Sequence, residues 1–297
     1  MEALSWFFTN LALGFYNIAY AVTHPMTWLN WGDPKAVMRF IYYGGSVELF
    51  FAFLAILIVV TAVGLWRNSF MWAVVRGLEG FANTVGRFAA WAGLLMVLQQ
   101  VVIVVIQRIF LEARITFGAG VAFSKDISWY AEELKLYNAM IICLCCAYTF
   151  VQGGHVRVDL IYSAVSYRAK RIIDMFGCVL LMIPAGILTW MYSWYFMWRH
   201  LVTPKVSASD TLQRLVDAKS RAFRWNVETI GFSPNGFNAY FLFKVLLVVL
   251  TAMIILQAVA FLYRSYLEMK EGEESAGKYL DRDRLGDEEA ELAAEIH

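Results

Sequence analysis

Long apolar stretches separated by short polar connections dominate this chain. A hydrocarbon core about 30 Å thick is crossed by roughly 20 apolar residues in a helix. Five stretches of about that length lie close to charged residues: Leu49–Trp66, Phe88–Gln107, Leu136–Gly154, Met175–Trp198 and Val245–Tyr263. The pattern therefore predicts five membrane-spanning helices.

Leu4–Val22 is a weaker candidate for a further span. It carries no charge, but Thr9, Asn10 and Asn17 interrupt its apolar pattern. It either crosses the bilayer or lies in the interface, so the N-terminal part adds one or two membrane helices to the four later spans. We favour six spans in total, and the predicted fold class is an all-α polytopic membrane protein.

Two connections have the periodicity of amphipathic helices. In Asp126–Tyr137 apolar residues recur at helical spacing, and Glu132 and Glu133 lie off the apolar face. Lys205–Asn226 repeats this pattern over a longer stretch, with Ser209 or Asp210 as the expected N-cap. Both are predicted to be interfacial helices, the first lying against the bilayer before the next span.

The other connections are polar. Arg67–Arg87 is predicted to be a short basic connection, and the chain after Arg264 a soluble, charged tail, helical in patches or disordered. Counts of Lys and Arg on the two sides of the predicted spans are nearly equal, so the positive-inside rule does not decide the orientation.

Composition favours a membrane protein, and the cysteine spacing does not suggest a metal centre. The chain is 60% hydrophobic and 16% charged, whereas soluble domains are about 25% charged. The net charge of +1 gives no reason to expect a nucleic-acid partner. All four cysteines lie in apolar segments and lack the paired spacing of a zinc or iron–sulfur site, which favours packing roles; they are Cys143, Cys145, Cys146 and Cys178.

The stretch FVQGGHVRVDLIY, residues 150–162, is a dense polar turn between two apolar segments. Gly153 and Gly154 are suited to ending the preceding helix. Asp159 is suited to capping a short helix predicted over Leu160–Arg171. Two interpretations stay open: a solvated loop that returns the chain to the bilayer, or a docking turn in which His155, Arg157 and Asp159 contact a partner.

The motif GGHVRVDL resembles the signature turn of the DctQ family, the small membrane subunit of tripartite ATP-independent periplasmic (TRAP) transporters. VLQQVVIVVIQRIF, residues 97–110, is similar to the first span of that family. WYAEELKLY, residues 129–137, is similar to the family's helix before its second span. The resemblance extends from Gly77 to about Tyr263.

The resemblance implies a division of the chain. Residues 77–264 would form a DctQ-like four-span domain with a periplasmic insert at about 203–235. Residues 1–70 would be an N-terminal membrane extension, and residues 265–297 a cytoplasmic tail. Neither the extension nor the insert is covered by the resemblance.

The resemblance also implies a function. A large DctM-like membrane subunit would carry the substrate and sodium sites, and a DctP-like periplasmic protein would deliver an organic acid. This chain would scaffold the large subunit in the bacterial inner membrane, surrounded by lipid, with its C-terminus in the cytoplasm. It would be no enzyme and bind no cofactor. The interface candidates are Glu132, Glu133, Gly153, Gly154, His155, Arg157 and Asp159.

Two other membrane functions would need side chains that this sequence offers only in part. A haem-binding membrane anchor of a respiratory oxidoreductase needs axial ligands at matching depth, and His24 and His200 are the pair that could share a side. A stand-alone channel or transporter needs polar groups along a pathway, but the four best spans contain no charged residue.

Overall fold

The computed structural model of the chain describes residues 2–117, 123–153, 165–231, 233–281 and 283. Its strands in these ranges form two short antiparallel pairs, β1 (Arg114–Phe117) with β2 (Phe123–Asp126) and β3 (Val202–Thr203) with β4 (Arg224–Trp225). The helices are α1 (Glu2–Thr23), α2 (Met26–Leu29), α3 (Pro34–Gly44), α4 (Val47–Trp66), α5 (Asn68–Arg108), α6 (Ile127–Gln152), α7 (Tyr167–Gly177), α8 (Ile183–Arg199) and α9 (Phe241–Glu271).

Five helical stretches in the described residues are long and apolar enough to cross a membrane. They are α4, α5, α6, the continuous stretch Tyr167–Arg199, and α9. The predicted all-α polytopic membrane fold is confirmed. α1 forms a 22-residue helix that packs along α4, but it is not among the five. The extension therefore contributes one such stretch, and the sixth span is not supported.

α9 is the central helix of the bundle. It packs against α5, α6, α7 and α8. In its most apolar stretch 33% of the residues are buried within the bundle, against 11% or 17% in each of the other four spanning stretches. The two ends of the bundle are named here by their contents: the tail end carries the C-terminus of α9, and the far end carries α3.

α5 corrects the prediction of a short connection at Arg67–Arg87. The helical conformation is interrupted only at Arg67, whose φ of −133° and ψ of 96° are extended. The next 41 residues form one helix. No proline interrupts it, and Trp72, Val75 and Ala82 continue the buried face of the span. At 1.5 Å per residue α5 is about 60 Å long, roughly twice the hydrocarbon thickness.

α6 corrects the prediction of a separate interfacial helix at Asp126–Tyr137. That segment forms the first turns of one continuous 26-residue helix. Its apolar residues Ile127 and Tyr130 pack against Ile103 and Ile115 rather than facing the bilayer. The β1–β2 pair leads directly into α6. Ile115 of β1, together with Ile103 of α5, covers these two side chains.

α7 begins later than predicted. Ser166 is extended and precedes the first helical residue, Tyr167, so Leu160–Arg171 is not one helix and its basic residues lie at the start of α7. The π-helical turn Cys178–Met182 joins α7 to α8 just before Pro184. Proline has no N–H to donate to the carbonyl four residues earlier, which explains the local widening.

The insert also differs from the prediction. Its helical part is a distorted stretch of π and 3₁₀ turns, Arg214–Ala218 and Lys219–Ala222, and Thr211 rather than Ser209 or Asp210 accepts the capping bond from the Arg214 amide. Its apolar side faces α3, where Leu215 is fully buried. The insert therefore lies on the N-terminal extension and not with its apolar face in the bilayer.

Aromatic side chains of α8 cap the C-terminus of α3. The last carbonyls of a helix lack partners within it. Trp190 Nε1 donates to the Gly44 carbonyl at 2.8 Å and Trp194 Nε1 to the Ile41 carbonyl at 2.9 Å. Gly44 permits this approach, because a Cβ there would overlap the Trp194 ring.

We predict that Gly44→Ala destabilises the contact between α3 and α8 by about 1–3 kcal/mol, the usual cost of overpacking. Gly77→Ala is the matched control, since a Cβ at Gly77 meets nothing within 4 Å. Thermal unfolding in detergent micelles measures both variants. Equal melting temperatures for Gly44→Ala and the wild type would contradict the close approach.

Candidate functional site

A buried ion pair joins α5 to α9 at the tail end. Arg264 Nε lies 2.6 Å from Glu79 Oε1, and Arg264 Nη2 lies 2.5 Å from Glu79 Oε2, a two-point contact. Both side chains are buried, with 7% and 6% of their surface exposed. The guanidinium also lies over the Trp72 ring, 5.4 Å from its centroid.

Glu268 extends this pair to α7. Its Oε1 lies 3.3 Å from Arg264 Nη1, and its Oε2 lies 2.6 Å from Arg171 Nη2. Arg171 in turn contacts Asp174 at 3.2 Å. We call these five residues, Glu79, Arg171, Asp174, Arg264 and Glu268, the ionic network.

The ionic network fixes helices rather than forming a pathway. Removing charges from water costs several kcal/mol each unless partners compensate. Each of its five members has an oppositely charged partner within 4 Å inside the chain. It therefore holds α5, α7 and α9 in one arrangement at the tail end.

The chain after α9 folds back across this end. We call residues 272–281 together with Asp283 the strap. Gly272, with a φ of 91°, turns the chain, and the Lys278 carbonyl accepts a bond of 3.1 Å from Arg264 Nη1. α9 itself continues to Glu271, so the first residues of the segment predicted to be a tail from residue 265 are helical.

Arg87 of α5 anchors the end of the strap. Arg87 Nη1 lies 2.8 Å from Asp281 Oδ2, and Arg87 Nη2 lies 2.6 Å from Asp283 Oδ1. Tyr148 of α6 donates to Asp283. Arg87 lowers the pKa of Asp281, and Tyr148 together with Arg87 lowers the pKa of Asp283.

Gln152, the last residue of α6, ties the strap to the predicted docking turn. Its Nε2 donates to the Asp281 carbonyl at 3.0 Å, and its Oε1 accepts from the Asp283 amide at 2.9 Å. Gly153 follows with a φ of 78°, the left-handed conformation expected of a glycine that ends a helix. Gly154, His155, Arg157 and Asp159 lie outside the described residues.

Family comparison identifies the region around this turn. Residues 115–214 match the family model described as "Tripartite ATP-independent periplasmic transporters, DctQ component". This region belongs to the DctQ family. No curated protein and no solved structure matches the chain.

The DctQ region covers α6, α7 and α8 and includes the GGHVRVDL turn. It confirms the resemblance, although the match is shorter than the stretch from Gly77 to Tyr263 over which similarity was expected. α5 and α9 lie outside the matched residues. The ionic network therefore joins Arg171 of the DctQ region to two helices beyond it.

Glu132 of the DctQ region holds a loop of the same chain. Its Oε1 accepts from the Ser233 hydroxyl at 2.8 Å, and its Oε2 accepts from the Phe237 amide at 2.9 Å. Glu133 accepts from Gln99 of α5 at 3.1 Å. Both glutamates are half-buried and bonded within the chain, and their predicted role at a subunit interface stays a prediction.

The far end carries a smaller charged cluster beyond α8. Glu228 lies 2.6 Å from Lys244 Nζ and 3.3 Å from His200 Nε2. Lys244 is the main cause of the lowered pKa of Glu228. The other ring nitrogen of His200 lies 2.6 Å from the Phe196 carbonyl.

These contacts give no support to the haem hypothesis. Both ring nitrogens of His200 already have partners, and His24 stacks on Tyr20 with 4.4 Å between ring centroids. Among the described residues no group of three or more His, Cys, Asp and Glu side chains is placed to hold a metal ion. DctQ proteins are transporter components rather than an enzyme family.

Sequence reasoning missed the ionic network. Arg264 and Glu268 are four residues apart and share a helix face, which was a usable signal. Glu79 lay in a segment assigned to a connection. Its spacing from Trp72 and Val75 fits one helix face and could have indicated an inward-facing carboxylate.

We predict that Arg264→Gln lowers the free energy of unfolding by about 3–5 kcal/mol, because Glu79 and Glu268 would keep buried charges without their partner. Arg87→Gln is the matched control, since the Arg87 ion pairs are exposed to solvent and contribute little. Denaturant unfolding in detergent micelles compares the two. If both variants unfold alike, the network does not stabilise the bundle as described.

We predict that the strap stays docked at neutral and mildly acidic pH. A carboxyl whose pKa is lowered on folding contributes stability above its ordinary pKa, about 3.9 for Asp, and loses it as the pH falls through the lowered value. Hydrogen exchange of amides 277–281, corrected for intrinsic rates, should show loss of protection only below the ordinary Asp pKa of about 3.9. Arg87→Gln should loosen the strap already at neutral pH, where the wild-type strap is docked; loss of protection near pH 6 in the wild type would contradict the assignment.

Proposed function

We propose that this chain is the small permease subunit of a TRAP transporter. It scaffolds a large DctM-like membrane subunit for sodium-driven symport of an organic acid, delivered by a DctP-like binding protein. The complex lies in the bacterial inner membrane. The match of residues 115–214 to the DctQ component carries this proposal.

The arrangement of charges supports a scaffold. The buried charges of the ionic network are all engaged with one another, and they join helices. Ion and substrate pathways instead present polar groups to a water-filled cavity. We therefore place the sodium and substrate sites in the large subunit and expect no cofactor in this chain.

The exposed faces of the helices support embedding in lipid or in a larger membrane complex. On α5 the side chains of Phe88 and Trp91 are 78% and 64% exposed, and on α8 Leu188 is 70% exposed. Apolar surface of this extent is covered in a membrane protein by lipid chains or by neighbouring helices. The large subunit and lipids are the partners proposed for these faces.

We propose the orientation that the family resemblance implies. The turn at 150–162 and the strap would face the cytoplasm, and the hairpin β1–β2 and the insert the periplasm. Because Glu132 and Glu133 are engaged within the chain, we propose the turn from Gly153 to Asp159 as the principal docking element for the large subunit.

Co-purification tests the proposal. We expect the tagged chain, extracted in mild detergent, to bring down one large polytopic subunit as a colourless complex. Reconstituted uptake should require both subunits, the binding protein and a sodium gradient. A complex with a Soret band and a flavin or iron–sulfur subunit would overturn the proposal, as would a chain that purifies alone.

The docking turn has its own test in the same assay. We expect Asp159→Ala to lower recovery of the large subunit several-fold, because the variant removes a charged side chain from the proposed docking turn. Glu112→Ala, an exposed carboxylate at the far end, is the control and should change nothing. Equal recovery with both variants would contradict a docking role for Asp159.

A further inference from the structure

The extension and the insert form one compact unit at the far end. We call residues 24–45 and 199–231 the platform. Leu215 of the insert packs among Val37, Met38 and Ile41 of α3, and all four are at most 1% exposed. The platform therefore has a buried core, which it shares with α8 and α9, and presents an outer surface beyond it.

That outer surface is strongly basic. The exposed basic residues of the platform are Lys35, Arg199, Lys205, Arg214, Arg221 and Arg224. Asp217 is the one exposed acidic residue of the platform, every residue of which the structure describes. The other carboxylates are half-buried or buried, and two of them are neutralised locally: Asp210 lies 2.5 Å from Lys219, and Glu228 pairs with Lys244.

Two exposed tryptophans lie within the same surface. Trp31 is 46% and Trp225 51% exposed, with their ring centroids 6.3 Å apart. Trp225 follows Arg224 on β4, whose pairing with β3 holds both residues in place. Tryptophan and arginine are the residues most enriched among those that carry binding energy in protein interfaces.

The apolar face of the insert's helical part, Arg214–Ala218 and Lys219–Ala222, is not available to a bilayer. A surface helix that binds lipid buries its own apolar face among the acyl chains. In the platform that face is already covered by α3, where Leu215 is fully buried. The basic side is then left for a partner that supplies negative charge without requiring insertion.

We propose that the platform is a docking surface for an acidic face of a soluble protein. This inference rests on the proposed function, under which the platform is periplasmic and that protein is the substrate-binding component. Opposite charges would speed the encounter, and Trp31 and Trp225 would provide the desolvated contact. The extension and insert would thus give this subunit its own part in receiving the binding component.

The test uses the assembled membrane complex in nanodiscs of zwitterionic lipid, with the purified substrate-binding component as the probe. We expect Arg224→Glu to weaken binding about tenfold, largely through slower association, and the wild-type affinity to fall between about 0.05 M and about 0.5 M salt. Arg221→Glu should act in the same direction. Arg67→Glu, the same charge change at the tail end, should leave binding unchanged.

Unchanged binding by both platform variants would overturn the proposal. So would a loss of phosphatidylglycerol vesicle capture by Arg224→Glu with unaltered binding of the protein probe, since that result assigns the surface to lipid. Thermal unfolding confirms that the variants are folded. Failure of the proposed function would appear separately, as a wild-type chain that does not co-purify with the large subunit.

Discussion

The ion pair between Glu79 and Arg264 constrains the whole tail end of the bundle. A guanidinium buried on the most enclosed helix is costly unless carboxylates and carbonyl groups compensate its charge. α5 must begin well before Arg87 so that Glu79 lies on the helix and reaches Arg264. α7 must begin where Arg171 can reach Glu268. The chain after α9 must turn at Gly272 so that the Lys278 carbonyl completes the set.

The far end is held by different chemistry. There, indole N–H groups of α8 satisfy the terminal carbonyls of α3, and an apolar core closes over them. These bonds are neutral, so salt screens them little, whereas the exposed contacts of Arg87 with the strap are open to screening. One bundle thus has an ionic end and an aromatic end, joined by α5, α8 and α9.

The sequence was sufficient for the five confirmed spans but not for deciding on Leu4–Val22, because length and apolar composition identify only a clearly apolar membrane helix without tertiary information. Gly153 was also predictable, since a left-handed helix end is a local property of glycine. Other elements depended on distant partners. Glu79 resembles a connection residue until Arg264, 185 positions away, is placed beside it. The insert was recognised as amphipathic, but periodicity does not reveal whether lipid or α3 covers its apolar side.

The shared core of α3 and the insert has a consequence for how this architecture is inherited. Deleting the insert would open Val37, Met38 and Ile41 to solvent, and deleting α3 would do the same to Leu215. Neither segment is a tolerable addition to the rest of the bundle without the other. Relatives of this chain should therefore carry both segments or lack both, although more than 150 residues separate them along the chain.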